Sequence, residues 1–158
     1  MTDADLLFMS AARAAALIRG AKLSPVAYVN AVLDGIERAN PRLNAFSHVM
    51  ANHARRSATA AEQAVRRGDP LGPLHGVPVS IKDLVEVEGV PFRRGSAIFA
   101  DAVGEKDDIT VQRLRAAGAI VIGKTTTPEF GVKALTDGPS FGITRNPWNP
   151  EHTPGGSS

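Results

Sequence analysis

The run Ala119–Ile122 constrains the fold more than any other stretch of the chain. It is apolar at every position and is flanked by a glycine on each side. A short apolar run without alternation is typical of a parallel strand that is covered on both faces. Asp107 or Asp108 can cap a helix that runs through Ala117 directly before it. This region therefore predicts a helix followed by a buried strand of an α/β sheet.

A second strand is predicted within Leu74–Asp83. Val77, Val79 and Ile81 recur at every second position, as on a half-buried strand. Lys82 then lies where the strand leaves the sheet, close to low-dielectric surroundings. Such surroundings favour the neutral amine of a lysine, which can act as a general base. The alternative is a solvated lysine at a strand end, which is the commoner case.

The first part of the chain carries helix signals. Ser10 and Ser24 are capping residues, and Asn40 with Pro41 forms a stop signal. The predicted elements are a short turn Asp3–Met9, helices over 10–19, 24–39 and 51–67, and a first strand over 43–49. Helices followed by strand–helix–strand units predict an α/β fold with N-terminal helices packed on a mixed, partly parallel sheet.

Glycine and proline become frequent after Pro70. Leu84–Gly95 is predicted to be a long loop or a hairpin, and Pro128–Leu135 a short helix. Thr136–Ser158 has few periodic positions, so we expect an extended loop of the kind that forms active sites.

The chain ends in two glycines and two serines. Gly155 and Gly156 free the backbone for unusual conformations, and Ser157 and Ser158 offer two hydroxyls. A serine nucleophile needs an adjacent base, and pairs of serine with lysine can replace the Ser-His-Asp arrangement. The two stretches together suggest that Lys82 acts with one of these serines, whereas the terminal stretch alone would be typical of a linker.

Composition limits the other classes of function. The chain has 158 residues, of which 43% are hydrophobic and 22% charged, and its net charge of +2 is spread along the sequence. We therefore expect a folded domain that binds no nucleic acid. The absence of cysteine excludes disulfides, thiolate metal sites and cysteine nucleophiles. The apolar run Ala11–Ile18 is interrupted by Arg13 and has no basic leader, so we expect a cytoplasmic protein without a membrane span.

One motif suggests a different chemistry. Gly118–Thr125 matches the phosphate-binding pattern GxxxxGK[ST] letter for letter. A phosphate-binding loop needs its intervening residues outside a strand, whereas here they are the apolar run, and Pro128 follows where a long helix should continue. The four histidines also lack the spacing of metal ligands. We therefore expect no nucleotide, metal or other cofactor.

Four motifs in order resemble the amidase signature family. They are Gly72–Asp83, Gly123–Gly131, Arg145–Asn149 and Thr153–Ser158. The resemblance implies an α/β/α sandwich and hydrolysis of the C–N bond of a small-molecule amide through an acyl-enzyme. It also implies a Ser-cisSer-Lys triad. Separately, a chain of this length should expose sheet edges and apolar faces, so we expect it to form a homo-oligomer.

The resemblance gives roles to individual residues. Lys82 matches the catalytic lysine, and Ser157 matches the bridging serine, which the family holds in a cis peptide. Ser158, Gly155 and Gly156 match supporting positions beside it. These roles follow from the motif match alone.

The sequence also departs from the family pattern. The family's nucleophilic serine and its oxyanion donors lie beyond the bridging serine, and this chain stops at Ser158. We therefore expect 1–158 to be the N-terminal portion of a single amidase signature domain, inactive alone. Thr126 stands where many relatives have asparagine. The form Thr127–Gly131 resembles general amidases more than the A-type chain of the tRNA-dependent amidotransferases, which stays an alternative together with a non-catalytic, partner-binding module.

Overall fold

The computed structural model describes residues 2–156, except for the side chain of Asp3. Its helices are α1 Asp3–Leu7, α2 Ala11–Arg19, α3 Pro25–Leu43, α4 Ala51–Arg67 and α5 Ile109–Ala116. Its strands are β1 Phe46–Val49, β2 Pro78–Lys82, β3 Ile120–Thr125, β4 Asp137–Gly138 and β5 Gly142–Ile143. Two single 3-10 turns lie at Ala97–Phe99 and Glu129–Gly131. The prediction of a mixed α/β fold is confirmed.

Three of the helices begin or end on local contacts at positions that the sequence predicts. The Ser10 hydroxyl accepts a hydrogen bond from the backbone N–H of Arg13 at 3.3 Å and begins α2. Gly68 ends α4 with a φ of 73°, the left-handed conformation that a glycine adopts without steric cost. Asp108 precedes α5 and accepts from the backbone N–H of Thr110 at 2.8 Å.

Helix α3 corrects one prediction, because it continues past Ala39 to Leu43 with Pro41 inside it. A proline in the last turn forfeits only one hydrogen bond, because only its own N–H is missing. The carbonyl of Asn40 accepts from the backbone N–H of Asn44 at 2.7 Å. The Asn40 side-chain oxygen also accepts from the next two backbone N–H groups, both at 2.8 Å. These bonds satisfy the helix end beyond the predicted stop.

The main sheet has the strand order β1-β3-β2. Strand β1 is antiparallel to β3, and the register pairs Phe46 with Thr125 and Val49 with Gly123. Only glycine fits at position 123, because an added Cβ would lie 2.4 Å from the carbonyl oxygen of His48. Strands β2 and β3 run parallel, because the N–H of Ile120 donates to the carbonyl of Val77 and the N–H of Asp83 donates to the carbonyl of Thr125. This direction agrees with the fully apolar sequence at the start of β3.

The chain divides into two compact units, which are described separately. The first unit contains Met1–Glu37, Met50–Val79 and Gln112–Ile122, and the second contains Arg38–Val49, Ser80–Val111 and Gly123–Ser158. The core of the first unit packs helix side chains against Val77 at the start of the β2 segment. Its buried members are Leu6, Ala14, Ala15, Ile18, Leu23, Tyr28, Ala31 and Val77.

The segments of the second unit outside the main sheet are mostly irregular, and only one of them differs from its prediction in kind. Leu84–Gly95 forms the loop and not the hairpin, with two isolated bridges to the segment around Gly104. The helix predicted over Pro128–Leu135 is reduced to the turn Glu129–Gly131, because Phe130 adopts a φ of 50° that no helix continues. The segment after Thr136 carries only the short β4-β5 pair and is otherwise extended as far as it is described. Among the described helices, none is long and apolar enough to cross a membrane.

Candidate functional site

Strand β2 separates a buried face from a face that lines a cavity. Ile81 is 5% exposed, whereas its neighbours Ser80 and Lys82 both line the cavity. Lys82 is the last residue of the strand and is half-buried. The prediction that Lys82 lies at a strand end is therefore confirmed, and the period of two explains which side chains share its face.

The cavity lies in the second unit and has a volume of about 340 Å³. Lys82 enters it from β2, and Gly155 and Gly156 approach it from the end of the described chain. The structure thus brings together the lysine and the two glycines that the sequence singled out. Ser157 and Ser158 lie outside the described residues. Most of the remaining lining is small or carries a hydroxyl: Ala45, Ser80, Thr125, Thr126, Thr136, Thr144, Pro128 and Pro154.

Two threonine hydroxyls form an ordered chain at the cavity wall. The oxygens of Thr126 and Thr144 lie 2.8 Å apart, and the Thr144 hydroxyl donates to the carbonyl of Asn44 at 2.8 Å. Each hydroxyl has one proton, so Thr126 is the donor to Thr144 in the arrangement that keeps both short bonds. Thr126 thus takes part in a hydrogen-bonded chain that ends on the backbone of Asn44.

Backbone and side-chain contacts hold the segment that leads to Gly155 and Gly156. The Arg145 guanidinium donates to the carbonyl of Pro150 at 2.9 Å. Gly155 has a φ of 85° and donates its N–H to the Thr153 hydroxyl at 3.1 Å. Glycine is suited to position 155 because side chains are disfavoured at this φ.

A buried ion pair lies beyond the end of β2 and was not predicted. Lys124 is 0% exposed and Asp83 is 1% exposed. The Lys124 Nζ lies 3.3 Å from Asp83 Oδ1 and donates to the carbonyl of Val85 at 2.7 Å. It also lies 5.0 Å from the centre of the Phe92 ring.

Burial acts on both members of this pair. It raises the pKa of the Asp83 carboxyl above its ordinary value, and the attraction of Lys124 only partly offsets the effect. Burial likewise lowers the pKa of the Lys124 ammonium, against the smaller opposing effect of Asp83. The pair is thus held in surroundings that disfavour charge.

The position of Lys124 also shows why the match to the phosphate-binding pattern is not a phosphate-binding loop. The segment Ile120–Thr125 is the strand β3, whose first five residues are buried, and Lys124 is engaged inside the protein. The prediction that the apolar run is a strand is confirmed, but a lysine is usually exposed and the pattern of this strand did not indicate that Lys124 is buried. Asp83, one position after the candidate lysine, was the available hint. Within residues 2–156, no cluster of three or more His, Asp or Glu side chains could hold a metal ion.

Three curated proteins have sequences similar to that of this chain. The indoleacetamide hydrolase of Bradyrhizobium diazoefficiens is 45% identical over 149 residues, which are 94% of this chain and 28% of that protein. The acylamidase of Rhodococcus erythropolis is 38% identical over 158 residues, which are 100% of this chain and 33% of that protein. The A-type chain of the glutamyl-tRNA(Gln) amidotransferase of Salinispora tropica is 42% identical over 97% of this chain and 31% of its own length.

Solved structures lead to the same family. A bacterial aryl acylamidase of the amidase signature enzymes superimposes with a TM-score of 0.88 at 32% identity, covering 96% of this chain and 32% of that one. Fatty acid amide hydrolase superimposes with a TM-score of 0.93 over 99% of this chain and 28% of that one, and its 22% identity shows the shared fold.

The chain spans about a third of the length of these relatives. The family model described as Amidase matches residues 27–158. Because the match covers most of the chain and the solved relatives share its fold, the chain belongs to the amidase signature family.

Proposed function

We propose that a protein containing this chain hydrolyses a carboxylic amide C–N bond through an acyl-enzyme, with Lys82 as the base. The observation that carries this proposal is that Lys82, at the end of β2, lines the same cavity as Gly155 and Gly156. These glycines directly precede the serine that the family motif makes the bridging residue. The cavity volume of about 340 Å³ suits a small-molecule amide.

The proposed steps move one proton along the triad. Lys82, as the neutral amine, takes a proton from the Ser157 hydroxyl, and Ser157 takes one from the nucleophilic serine. The nucleophile attacks the amide carbonyl, and the proton returns along the same path to the leaving amine as the C–N bond breaks. Water then attacks the acyl-enzyme and releases the acid. The nucleophile and the oxyanion donors are expected outside 1–158, in the part of the relatives that this chain does not cover.

The test uses the protein that contains this chain together with the remaining two thirds found in its relatives. Release of amine would be measured on indoleacetamide, an acyl anilide and glutamine, with Lys82→Ala and Ser157→Ala as variants. We expect each variant to lose about 10²-fold or more in kcat. Lys133→Ala is the matched control, because Lys133 is an exposed lysine of the same unit that pairs with Asp137 at 2.5 Å.

The outcomes separate the candidate functions. Lys82-dependent hydrolysis of indoleacetamide or the anilide supports the proposal. Activity confined to glutamine would favour a chain of the amidotransferase A type. Full activity in Lys82→Ala, or no hydrolysis of any amide by the intact protein, would contradict the proposal, and the second result would favour a partner-binding module.

A further inference from the structure

Lys124 fixes the turn that directly follows Lys82. Its Nζ donates to the carbonyl of Val85 at 2.7 Å and lies 3.3 Å from the carboxylate of Asp83. The backbone N–H of Val85 in turn donates to the carbonyl of Lys82 at 2.9 Å. One buried ammonium therefore binds both the first and the third residue after Lys82.

The backbone of β3 adds a second attachment. The N–H of Asp83 donates to the carbonyl of Thr125 at 3.0 Å, and Thr125 follows Lys124 in β3. Two consecutive residues of β3 thus hold the end of β2, one through its side chain and one through its backbone. The direction in which the β2 backbone presents Lys82 to the cavity is set at this point.

Stability alone does not explain a buried pair of this kind. Removing two charges from water is costly, and an apolar pair of similar volume is often as stable or more stable. Lys124 is nonetheless fully buried, on a strand whose other buried residues before Gly123 are apolar. The Nζ of Lys124 holds the backbone of Val85 and the carboxylate of Asp83 in place, which an apolar side chain could not do.

We propose that Lys124, together with Asp83, is a positioning residue that holds the Lys82 amine in its reactive place in the cavity. The inference rests on the proposed function, because it gives Lys124 a role only if Lys82 acts as the base. Lys124 does not line the cavity and touches no substrate in this scheme. Its effect on the reaction passes through the backbone of residues 83–85.

The main test replaces both charges at once in the intact protein. Lys124→Met with Asp83→Asn keeps the approximate volumes, removes the buried charges and loses the donor to Val85. We expect the double variant to fold with a melting temperature equal to or above that of the wild type. Its kcat on an amide that the wild type hydrolyses should fall about 10- to 100-fold, with KM changed less than about twofold, because the base is misplaced while substrate binding is retained.

The control is the corresponding change in the exposed pair, Lys133→Met with Asp137→Asn. It should leave kcat and KM unchanged. A folded Lys124→Met/Asp83→Asn protein with wild-type kcat would overturn the inference. If Lys82→Ala is inactive in the same assay, the proposed function survives that result; if Lys82→Ala is active, the proposed function itself fails.

A second measurement needs no variant. In the wild-type chain, the backbone N–H of Val85 should exchange with solvent deuterium as slowly as the buried amides of β3, because its turn is held from both sides. Exchange of Val85 at the rate of the exposed loops would overturn the inference even if the double variant did not fold.

Discussion

The hydroxyl oxygens of Thr126 and Thr144 lie 2.8 Å apart in the wall of the cavity that Lys82 lines. Thr144 is 7% exposed, so its oxygen has little access to water as a replacement donor. We predict that Thr126→Val lowers the free energy of unfolding by about 1 to 2 kcal/mol, because Thr144 loses its donor. Thr126→Ser should retain most of the stability. Urea unfolding of the chain measures both.

Thr59→Val provides the control for this prediction. The Thr59 hydroxyl donates to the carbonyl of Arg55 on the exposed side of α4. Its replacement should change stability by less than about 0.5 kcal/mol, as is usual for exposed positions. An equal loss at Thr59 and Thr126 would contradict the hydroxyl chain described for the cavity wall.

Because Lys124 and Asp83 form a buried pair, replacing one of them should reduce the free energy of unfolding more than replacing both. Lys124→Met alone leaves the Asp83 carboxylate buried without its partner, so we expect a loss of about 3 to 5 kcal/mol. Adding Asp83→Asn should restore the whole of it, because no uncompensated charge then stays buried. Urea unfolding of the two variants checks this, and a double variant no more stable than Lys124→Met would show that Lys124 stabilises the chain by its packing.

The pH dependence of the pair follows from the directions of its pKa shifts. The raised pKa of Asp83 means that its contribution to stability is full below the ordinary value of 3.8 and is lost as pH rises through the folded-state pKa. The lowered pKa of Lys124 means that its contribution is present above 10.5 and is lost as pH falls through the folded-state pKa. The contribution of Asp83 is therefore complete only at acid pH, and that of Lys124 only at alkaline pH.

We therefore predict that Lys124→Met/Asp83→Asn gains most over the wild type near neutral pH. Its advantage in the free energy of unfolding should shrink towards acid pH, where Asp83 takes up a proton. Urea titrations over a range of pH measure this advantage. An advantage that grew as pH fell from neutral would contradict the assigned directions.

Gly95 and Gly89 allow the cost of backbone strain to be measured separately from the cost of a steric clash. Gly95 and Gly89 both have a φ of +71°. A Cβ at Gly95 would lie 2.8 Å from the carbonyl oxygens of Thr127 and Pro128, whereas a Cβ at Gly89 would meet nothing within 4 Å. We expect Gly89→Ala to cost about 1 to 2 kcal/mol from backbone strain. Gly95→Ala should cost clearly more, and equal melting temperatures for the two variants would contradict this packing.

The phosphate-binding pattern should bind no nucleotide. The backbone of Ile120–Thr125 is a strand, and the Lys124 ammonium is held by Val85 and Asp83. We predict no binding of ATP with magnesium in calorimetry. Micromolar affinity that disappears in Lys124→Met would overturn the assignment of this segment.

Much of the fold could be predicted because its signals are local. Ser10 and Gly68 act within one turn of their own helices. The run at the start of β3 is apolar at every position, so its composition alone indicates that it is buried. The end of α3 was mispredicted at Pro41 because the side chain of Asn40 satisfies the backbone beyond it. That contact depends on the path of the following residues, which a propensity rule does not contain.

One part of the candidate site could also be predicted from local sequence signals, and another part could not. Lys82 could be selected because the alternation of its strand places it at the end of β2. The pairing of Lys124 with Asp83 could not, because the two residues lie far apart in the sequence and meet only when β2 and β3 run side by side. Charged residues are read as surface by any hydropathy pattern, so a buried charge pair is what sequence reasoning misses most easily.

The central claim is that Lys82 is the base that acts through Ser157. The distance between Lys82 Nζ and Ser157 Oγ, measured in a crystal structure of the protein that contains this chain, tests it most directly. We predict a hydrogen bond of about 2.6 to 3.2 Å between these atoms. A well-ordered Ser157 remote from a fully solvated Lys82 would contradict it.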